Sequence, residues 1–285
     1  MFTGPLQRRL YFCRFMYDLN NKVVLVSGAS GGIGKAIATE ALKRGASVSV
    51  CGRSLEKLEK VFPARERLFL FQADVSVEAD CSSWIAATVA KWGRVDVLIN
   101  NAGQSMRALF EYTELSVLKQ LMDVNFWGAV YSTKYALPYI KRQKGIIAGV
   151  SSIAGYRGLP GRTGYSASKF ALQGFLEALR TELLHTGTHV MWISPGFTAS
   201  NIRNVALAAD GSAQKETPLD ESKLMTAEQC AVLLLNALEQ RKRSLVMTRQ
   251  GKLTVWLNKL IPGLADKLVF RHFLKEPDSP LAGYK

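Results

Sequence analysis

The chain has 285 residues, of which 48% are hydrophobic, and a formal net charge of +14. This apolar content predicts a substantial core and excludes disorder as the main state. The positive charge is concentrated at the ends, in residues 1–17 (+3) and 241–275 (+8). There it alternates with apolar and aromatic residues, and no nucleic-acid-binding motif occurs. We therefore expect no nucleic acid partner, and an anionic cofactor or a membrane surface fits better.

Cysteine and histidine are scarce and scattered. The four cysteines form no C-x-x-C pair, and of the three histidines only His185 and His189 are close in sequence, with Gly187 between them. This predicts neither a disulfide framework nor a metal site, and it favours a reducing, cytoplasmic location. No apolar run is long enough to predict a membrane-spanning helix.

Residues 1–19 form a basic N-terminal extension that is free of acids before Asp18. It lacks a clean apolar region and a small-residue cleavage site, so it is a poor signal peptide. It could be mobile, could serve as a presequence or amphipathic anchor, or could lie outside a chain that starts at Met16.

From residue 20 to about residue 250, short apolar strands alternate with helical stretches. This pattern predicts one α/β domain with a doubly wound parallel sheet flanked by helices. The expected strands lie at 22–28, 46–53, 68–71, 95–99, 146–150, 190–193 and 244–247.

Two later segments have separate interpretations. Residues 197–225 are irregular, which is typical of a loop over a substrate, and a capping box then predicts a helix at 226–240. Residues 251–285 form an amphipathic helical extension that Pro262 and Gly263 divide in two. Its basic, Trp-bearing face could dock on an anionic membrane, pack on its own domain, or form an interface between copies.

The first strand runs directly into a glycine-rich turn, SGASGGIGK, at residues 27–35. Gly28, Gly32 and Gly34 would allow unusual backbone angles and close approach of a pyrophosphate to the following helix N-terminus. A glycine-rich turn without a ligand is the alternative, but the position after the first strand makes it the weaker one.

Tyr165 and Lys169 lie four residues apart, on one face of a predicted helix, with no carboxylate between them. A free tyrosine titrates near pH ~10, which is too high for proton exchange near neutrality. A neighbouring ammonium would favour the phenolate and lower that value. The spacing therefore predicts a general acid and base.

Six features in order resemble the classical short-chain dehydrogenase/reductase family over roughly residues 20–250: the glycine turn, NNAG at 100–103, DVNFWG at 123–128, Ser152, Tyr165-x-x-x-Lys169, and PG at 195–196. The resemblance implies a Rossmann-like fold. It also implies a catalytic tetrad of Asn125, Ser152, Tyr165 and Lys169, in which Asn125 would hold a water that links Lys169 to solvent.

The resemblance further implies a nicotinamide cofactor. The matching positions are Gly28, Ser30, Gly32, Ile33, Gly34, Arg53, Asp74, Val75, Asn101, Tyr165, Lys169 and Thr198. Arg53 follows the second strand, where an acid would favour NAD, so we expect NADP (NADPH) rather than NAD. Ser27 and Ser200 stand where the family often has threonine, and Gly31 stands where NADP users often have a basic residue.

These features predict an enzyme that interconverts a carbonyl and an alcohol by hydride transfer, without metal. A hydrophobic lipid, sterol-like or aromatic substrate would lie beside Ile153, Met106, Phe197 and Val205. The alternatives are a 3-oxoacyl thioester reductase and a non-catalytic NADPH-binding regulator. The resemblance also implies a homo-dimer or homo-tetramer.

Overall fold

The computed structural model describes residues 16–198, 202–214 and 224–284. Most of the N-terminal extension, Ser200 and a large part of the expected substrate loop therefore lie outside the described residues. Among the described cysteines, Cys51, Cys81 and Cys230 are buried and free. No described helix has the length and apolar character needed to cross a membrane.

A single sheet of seven parallel strands forms the centre of the molecule, in the order β3-β2-β1-β4-β5-β6-β7. The strands are β1 Val23–Ser27, β2 Ser47–Gly52, β3 Leu68–Gln72, β4 Val97–Asn100, β5 Ile146–Val150, β6 His189–Ser194 and β7 Ser244–Val246. The strand order reverses direction between β1 and β4, where doubly wound sheets open a crevice for ligands. The predicted fold class is confirmed.

Helices cover both faces of the sheet. They are α1 Gly32–Lys43, α2 Leu55–Val61, α3 Glu78–Trp92, α4 Leu115–Met122, α5 Gly128–Arg142, α6 Thr163–Glu182, α7 Ala227–Glu239, α8 Arg249–Leu260 and α9 Pro262–Leu274. A π-helical turn, Asp123–Trp127, joins α4 to α5. The predicted capping box begins α7, with Thr226 and Gln229 bonded reciprocally to each other's backbone N–H.

The period-2 pattern of the central strands explains the two-sided core. Val24 and Val26 of β1 pack into a cluster with α1 and α7, whereas Val23 and Leu25 pack into another with α3, α5 and α6. Because both faces are covered, the central strands read as continuous apolar runs.

The C-terminal extension forms two helices that meet at Ile261, as the Pro262–Gly263 break predicts. The side chain of Asn258 on α8 donates to the carbonyl oxygen of Tyr156 (2.9 Å), and Arg157 forms an ion pair with Asp266 on α9. These contacts hold both helices against the loop that precedes α6.

Candidate active site

A cleft of about 500 Å³ lies at the carboxyl ends of the central strands. All but one of the predicted site residues line it, namely Gly28, Ser30, Gly32, Ile33, Gly34, Arg53, Asp74, Val75, Asn101, Ser152, Tyr165, Lys169 and Thr198. The exception is Asn125, which is buried behind the cleft wall. Residues from most of the chain thus meet at the strand-order reversal.

The glycine turn closes tightly on the strand next to it. Gly28 has a φ of 67°, and a Cβ there would lie 2.7 Å from the Cα of Ala102. Asn101 ties the turn in place, since its side-chain amide donates to the carbonyl oxygens of Ser27 (2.8 Å) and Gly28 (3.1 Å). The Ser27 hydroxyl in return accepts from the backbone N–H groups of Asn101 and Ala102, at 3.0 Å each.

Positive charge lies beyond this turn, at the end of β2. Arg53 is exposed and lines the cleft, and Lys57 in the first turn of α2 lines it as well. Sequence reasoning missed Lys57, although its place in the helix that follows Arg53 could have indicated it. On the neighbouring strand end, the Asp74 carboxylate accepts from the N–H (2.9 Å) and the hydroxyl (2.7 Å) of Ser76.

Tyr165 and Lys169 lie on one face of α6, with the Lys169 Nζ 5.7 Å from the centroid of the Tyr165 ring. Lys169 is buried and donates to the carbonyl oxygen of Val150 at 2.9 Å. Its burial lowers the pKa of the amine from 10.5 to about 8. The ammonium is therefore much easier to deprotonate than that of an exposed lysine.

The Tyr165 hydroxyl has contributions of both signs to its pKa. Burial raises the pKa above its ordinary value and outweighs the hydrogen bond with Ser152 and the charges of Arg162 and Arg203, which lower it. The expectation of a lowered pKa beside Lys169 is therefore wrong for this structure. The Ser152 hydroxyl also accepts from the N–H of Ala154 at 3.1 Å, which caps the short helical turn after β5. Ser152 thus has both a structural contact and a contact with the phenol.

Asn125 sits in the π-helical turn and is 1% exposed. Its side chain bonds both backbone groups of Gln104 and donates to the Ser168 hydroxyl at 2.8 Å. Asn125 therefore joins the loop after β4 to α6. Its water-holding role stays a prediction.

The opposite end of the cleft contains residues that sequence reasoning did not single out. Arg162 and Arg203 both line this end, and the charge of each lowers the pKa of Tyr165. Arg162 could have been found from its position three residues before Tyr165. Of the four predicted apolar residues, Phe197 and Val205 line the cleft.

The other two predicted apolar residues are placed differently. Met106 is fully buried, in a cluster with α4. Ile153 lies against α8, where a Cβ on Gly251 would come within 2.6 Å of its Cδ1. Neither belongs to the cleft lining, because each packs against a helix that the sequence pattern did not place there.

Among the described residues, no group of three or more His, Cys, Asp or Glu side chains could hold a metal ion. The doubly wound sheet, the glycine turn at its switch point and the adjoining Tyr–Lys–Ser cluster together define an oxidoreductase that uses a nicotinamide dinucleotide.

Comparison with known proteins agrees with this class and identifies the family. Residues 22–210 match the family model described as short chain dehydrogenase. An Arabidopsis thaliana protein named 11-beta-hydroxysteroid dehydrogenase-like 4A is 34% identical over 258 residues, which cover 88% of this chain and 85% of that protein. The chain belongs to the short-chain dehydrogenase family, whose members include oxidoreductases acting on CH–OH groups.

Two solved structures share the fold. A short-chain dehydrogenase from Burkholderia cenocepacia in complex with NADP is 25% identical, with a TM-score of 0.75 over 89% of this chain and 99% of that one. A short-chain dehydrogenase/reductase from Burkholderia phymatum in complex with NAD is 21% identical, with a TM-score of 0.77 over 87% of this chain and 96% of that one. One of these structures holds NADP and the other NAD, so the likenesses do not separate the two cofactors.

Proposed function

We propose that this protein is an NADP(H)-dependent oxidoreductase that interconverts a carbonyl and an alcohol on a hydrophobic substrate. The observation that carries the proposal is the contact between Tyr165 and Ser152 in the cleft, one helical turn from the buried amine of Lys169. This cluster provides a proton donor, a hydrogen-bond donor and a cation at the place where a carbonyl oxygen would gain charge.

Each side chain of the cluster has a distinct part in the proposed reaction. When bound, the nicotinamide supplies or accepts the hydride. Tyr165 gives its phenolic proton to the substrate oxygen during reduction and takes it back during oxidation. Ser152 donates a hydrogen bond to the same oxygen, which stabilises the developing charge. Lys169 favours the phenolate, and we also assign it to the nicotinamide ribose. Asn125, together with a water, would connect Lys169 to solvent for proton replacement.

The residues at the β1 end fit a dinucleotide phosphate. The glycine turn leads into the N-terminus of α1, whose first backbone N–H groups suit a pyrophosphate. Arg53 and Lys57 add two cations that suit a 2′-phosphate, and we propose NADP over NAD on this ground. Asp74, Val75 and Asn101 would bind the adenine and ribose side, and Thr198 the nicotinamide side.

A lipid, sterol-like or aromatic carbonyl fits the opposite end of the cleft best. Leu159, Phe197, Ile202 and Val205 line it with apolar side chains. The name of the Arabidopsis relative, which refers to a hydroxysteroid, supports a substrate of this class.

The proposal is tested with a panel of ketones and aldehydes, including steroid, aliphatic, aromatic and 3-oxoacyl thioester members, offered with NADPH and NADH. We expect oxidation of NADPH with at least one apolar carbonyl and a lower rate with NADH. Activity on the thioester alone would favour the fatty-acid-type alternative. Binding of NADPH without oxidation by any carbonyl would contradict the enzymatic proposal and favour a regulator.

We also propose that the C-terminal helices dock on an anionic membrane. Four apolar side chains that the sequence pattern places on one stripe are 47–57% exposed, namely Leu253, Trp256, Leu260 and Ile261. Leu264 and Leu268 of α9 are each 43% exposed. These six residues form what we call the C-terminal apolar face.

The charge around this face favours a lipid surface over a second copy of the chain. Lys252, Lys259, Lys267 and Arg271 are all exposed on the same two helices. Two such basic surfaces would repel each other, whereas each basic side chain near an anionic bilayer contributes about 1 kcal/mol. Docking there would bring the cleft close to a lipid-phase substrate at a cytoplasmic membrane surface.

A homo-dimer or homo-tetramer would then use a different surface. Trp127 at the π-helical turn and Phe170 on α6 are 42% and 46% exposed. Aromatic residues of this kind are enriched at interfaces between proteins. Sedimentation velocity of wild type and of a Trp127→Ser/Phe170→Ser variant tests this, and we expect a smaller species for the variant. Equal sedimentation would contradict this interface.

A further inference from the structure

Arg162 occupies an unusual position for a charged residue. It is the N-cap residue of α6, three positions before Tyr165, and its side chain is only 12% exposed. It lines the same cleft as the phenol. A guanidinium in this position is a fixed positive charge beside the proposed proton donor.

The last turn of α9 and the residues after it hold this guanidinium in place. Its Nη2 lies 3.4 and 3.5 Å from the two carboxylate oxygens of Glu276, and its Cζ lies 4.7 Å from the centroid of the Phe273 ring. The Glu276 side chain is 3% exposed and also pairs with Arg107 at 3.6 Å. One buried carboxylate thus joins two arginines, and only Arg162 of the two lines the cleft.

The charged groups around Tyr165 come from three directions. Lys169 lies on the same helix, Arg162 at its N-terminus, and Arg203 across the cleft. Glu276 and Arg107 face Arg162 from the other side. Within the described residues, the charges that lower the pKa of the phenol are therefore guanidinium groups, and the Glu276 carboxylate pairs with Arg162 and Arg107.

We propose that Arg162 is a positioning residue that favours the deprotonated form of Tyr165, and that the C-terminal residues Phe273 and Glu276 take part in catalysis by holding it. The proposal rests on the proposed role of Tyr165 as general acid and base, which it deepens.

The physical reason lies in how the two nearby cations respond to pH. Burial lowers the pKa of the Lys169 amine to about 8, so this charge fades as the pH rises above that value. A guanidinium keeps its charge throughout the range in which proteins function. Burial raises the pKa of the Tyr165 hydroxyl, and Arg162 and Arg203 oppose that rise. Arg162 therefore supplies a field at Tyr165 that persists where that of Lys169 is lost.

The direct test is NMR of protein with isotopically labelled tyrosine Cζ, titrated with alkali, in which the Tyr165 signal is assigned by its loss in Tyr165→Phe. We expect Arg162→Gln to titrate at higher pH than wild type and Arg162→Lys to stay near wild type. The matched control is Arg107→Gln, which loses a pairing with the same carboxylate but leaves the Arg162 charge. In Arg107→Gln, the Tyr165 signal should titrate at the same pH as in wild type.

A kinetic measurement gives the second readout. On the rising limb of the pH profile for alcohol oxidation, kcat/KM of Arg162→Gln should be roughly three- to tenfold below wild type, and Arg107→Gln should match wild type. Arg162→Gln leaves the buried Glu276 carboxylate with Arg107 as its one ion-pair partner among the described residues, and this could prevent folding. In that case the double variant Arg162→Gln/Glu276→Gln removes the guanidinium charge together with the carboxylate.

The outcomes separate this proposal from the proposed function. Failure to find a substrate would count against the enzymatic function, while the NMR titration would still decide the role of Arg162. Equal titration of Tyr165 in wild type and Arg162→Gln, or an equal shift in Arg162→Gln and Arg107→Gln, would overturn the positioning role and leave Arg162 as a structural clamp.

Discussion

At the β1 end of the cleft, the lining residues follow directly on strand ends, and hydrogen bonds from Asn101 to the oxygens of Ser27 fix the turn between neighbouring strands. At the Tyr165 end, contacts join positions that are distant in the chain. Arg162 and Glu276 are 114 positions apart, and Arg157 and Asn258 are 101 apart. The sheet thus builds the end that we propose as the cofactor end, whereas C-terminal residues hold Arg162 in place at the proposed substrate end.

The two ends therefore differ in which substitutions they tolerate. The cofactor end depends on backbone groups at the edge of a fully buried sheet, so its geometry follows from the fold. The Tyr165 end also depends on side chains of α8, α9 and the residues after them, which contact the loop before α6 and hold Arg162 in place. Substitutions in those residues can change the substrate or the pH response without touching the sheet.

The largest expected effect follows from removing the Tyr165 hydroxyl. Tyr165→Phe should reduce kcat by about 10²–10⁴-fold because it removes the proton donor, while the affinity for NADPH stays near wild type. Turnover and a fluorescence titration of NADPH measure the two quantities. Tyr112→Phe, a change at a side chain that is 69% exposed, is the control. A wild-type kcat for Tyr165→Phe would rule out the proton-donor role.

A second prediction concerns the cost of burying Lys169. Its folded pKa of about 8 lies below its ordinary 10.5, so the unfolded chain binds more protons between these values and wild-type stability rises with pH across that window. Lys169→Met should be more stable than wild type below pH 8. This advantage should shrink by about 3 kcal/mol as the pH approaches 10.5.

Urea unfolding of both cofactor-free proteins at several pH values measures this difference. Lys134→Met, on the exposed side of α5, is the control and should show no such trend. A stability difference that does not depend on pH would show that burial has no such effect on the Lys169 amine. Lys169→Met should also bind NADPH more weakly than wild type and turn over more slowly.

The next prediction concerns cofactor preference at the proposed cofactor end. Arg53→Asp should lower the NADPH-to-NADH ratio of kcat/KM by about tenfold or more, because a charge-assisted contact to the 2′-phosphate becomes a repulsion. The control is Arg65→Asp, which makes the same change of charge at an exposed arginine outside the cleft lining. An unchanged ratio in Arg53→Asp would remove the basis for proposing NADP.

The smallest effect is expected at the C-terminal apolar face. Trp256→Ser/Leu260→Ser should weaken sedimentation with phosphatidylserine vesicles several-fold, because two exposed apolar side chains no longer enter the interface. Leu233→Ser on α7, where the side chain is 40% exposed, is the control. Substitution is preferable to truncation, since Glu276 and Leu281 are buried against the domain. Equal binding of all three proteins would exclude this face as a membrane surface.

The fold, the glycine turn and the Tyr165–Lys169 pair could be predicted from sequence because their signals are contiguous. The alternation of strands and helices, the glycine turn and the Tyr165–Lys169 spacing each reflect local geometry, and the predicted fold is confirmed. The substrate end could not, since nothing within a short window pairs Arg162 with Glu276 or places Ile153 against α8. Such pairings depend on how distant helices pack.

The most direct test of the proposed function follows the hydride itself. NADPH that carries deuterium at its hydride-donating carbon is incubated with the best carbonyl of the panel, and the product alcohol is analysed by mass spectrometry. The proposed function predicts a single deuterium at the alcohol carbon with wild type and almost none with Tyr165→Phe over the same time. Product without deuterium, or equal transfer by Tyr165→Phe, would contradict it.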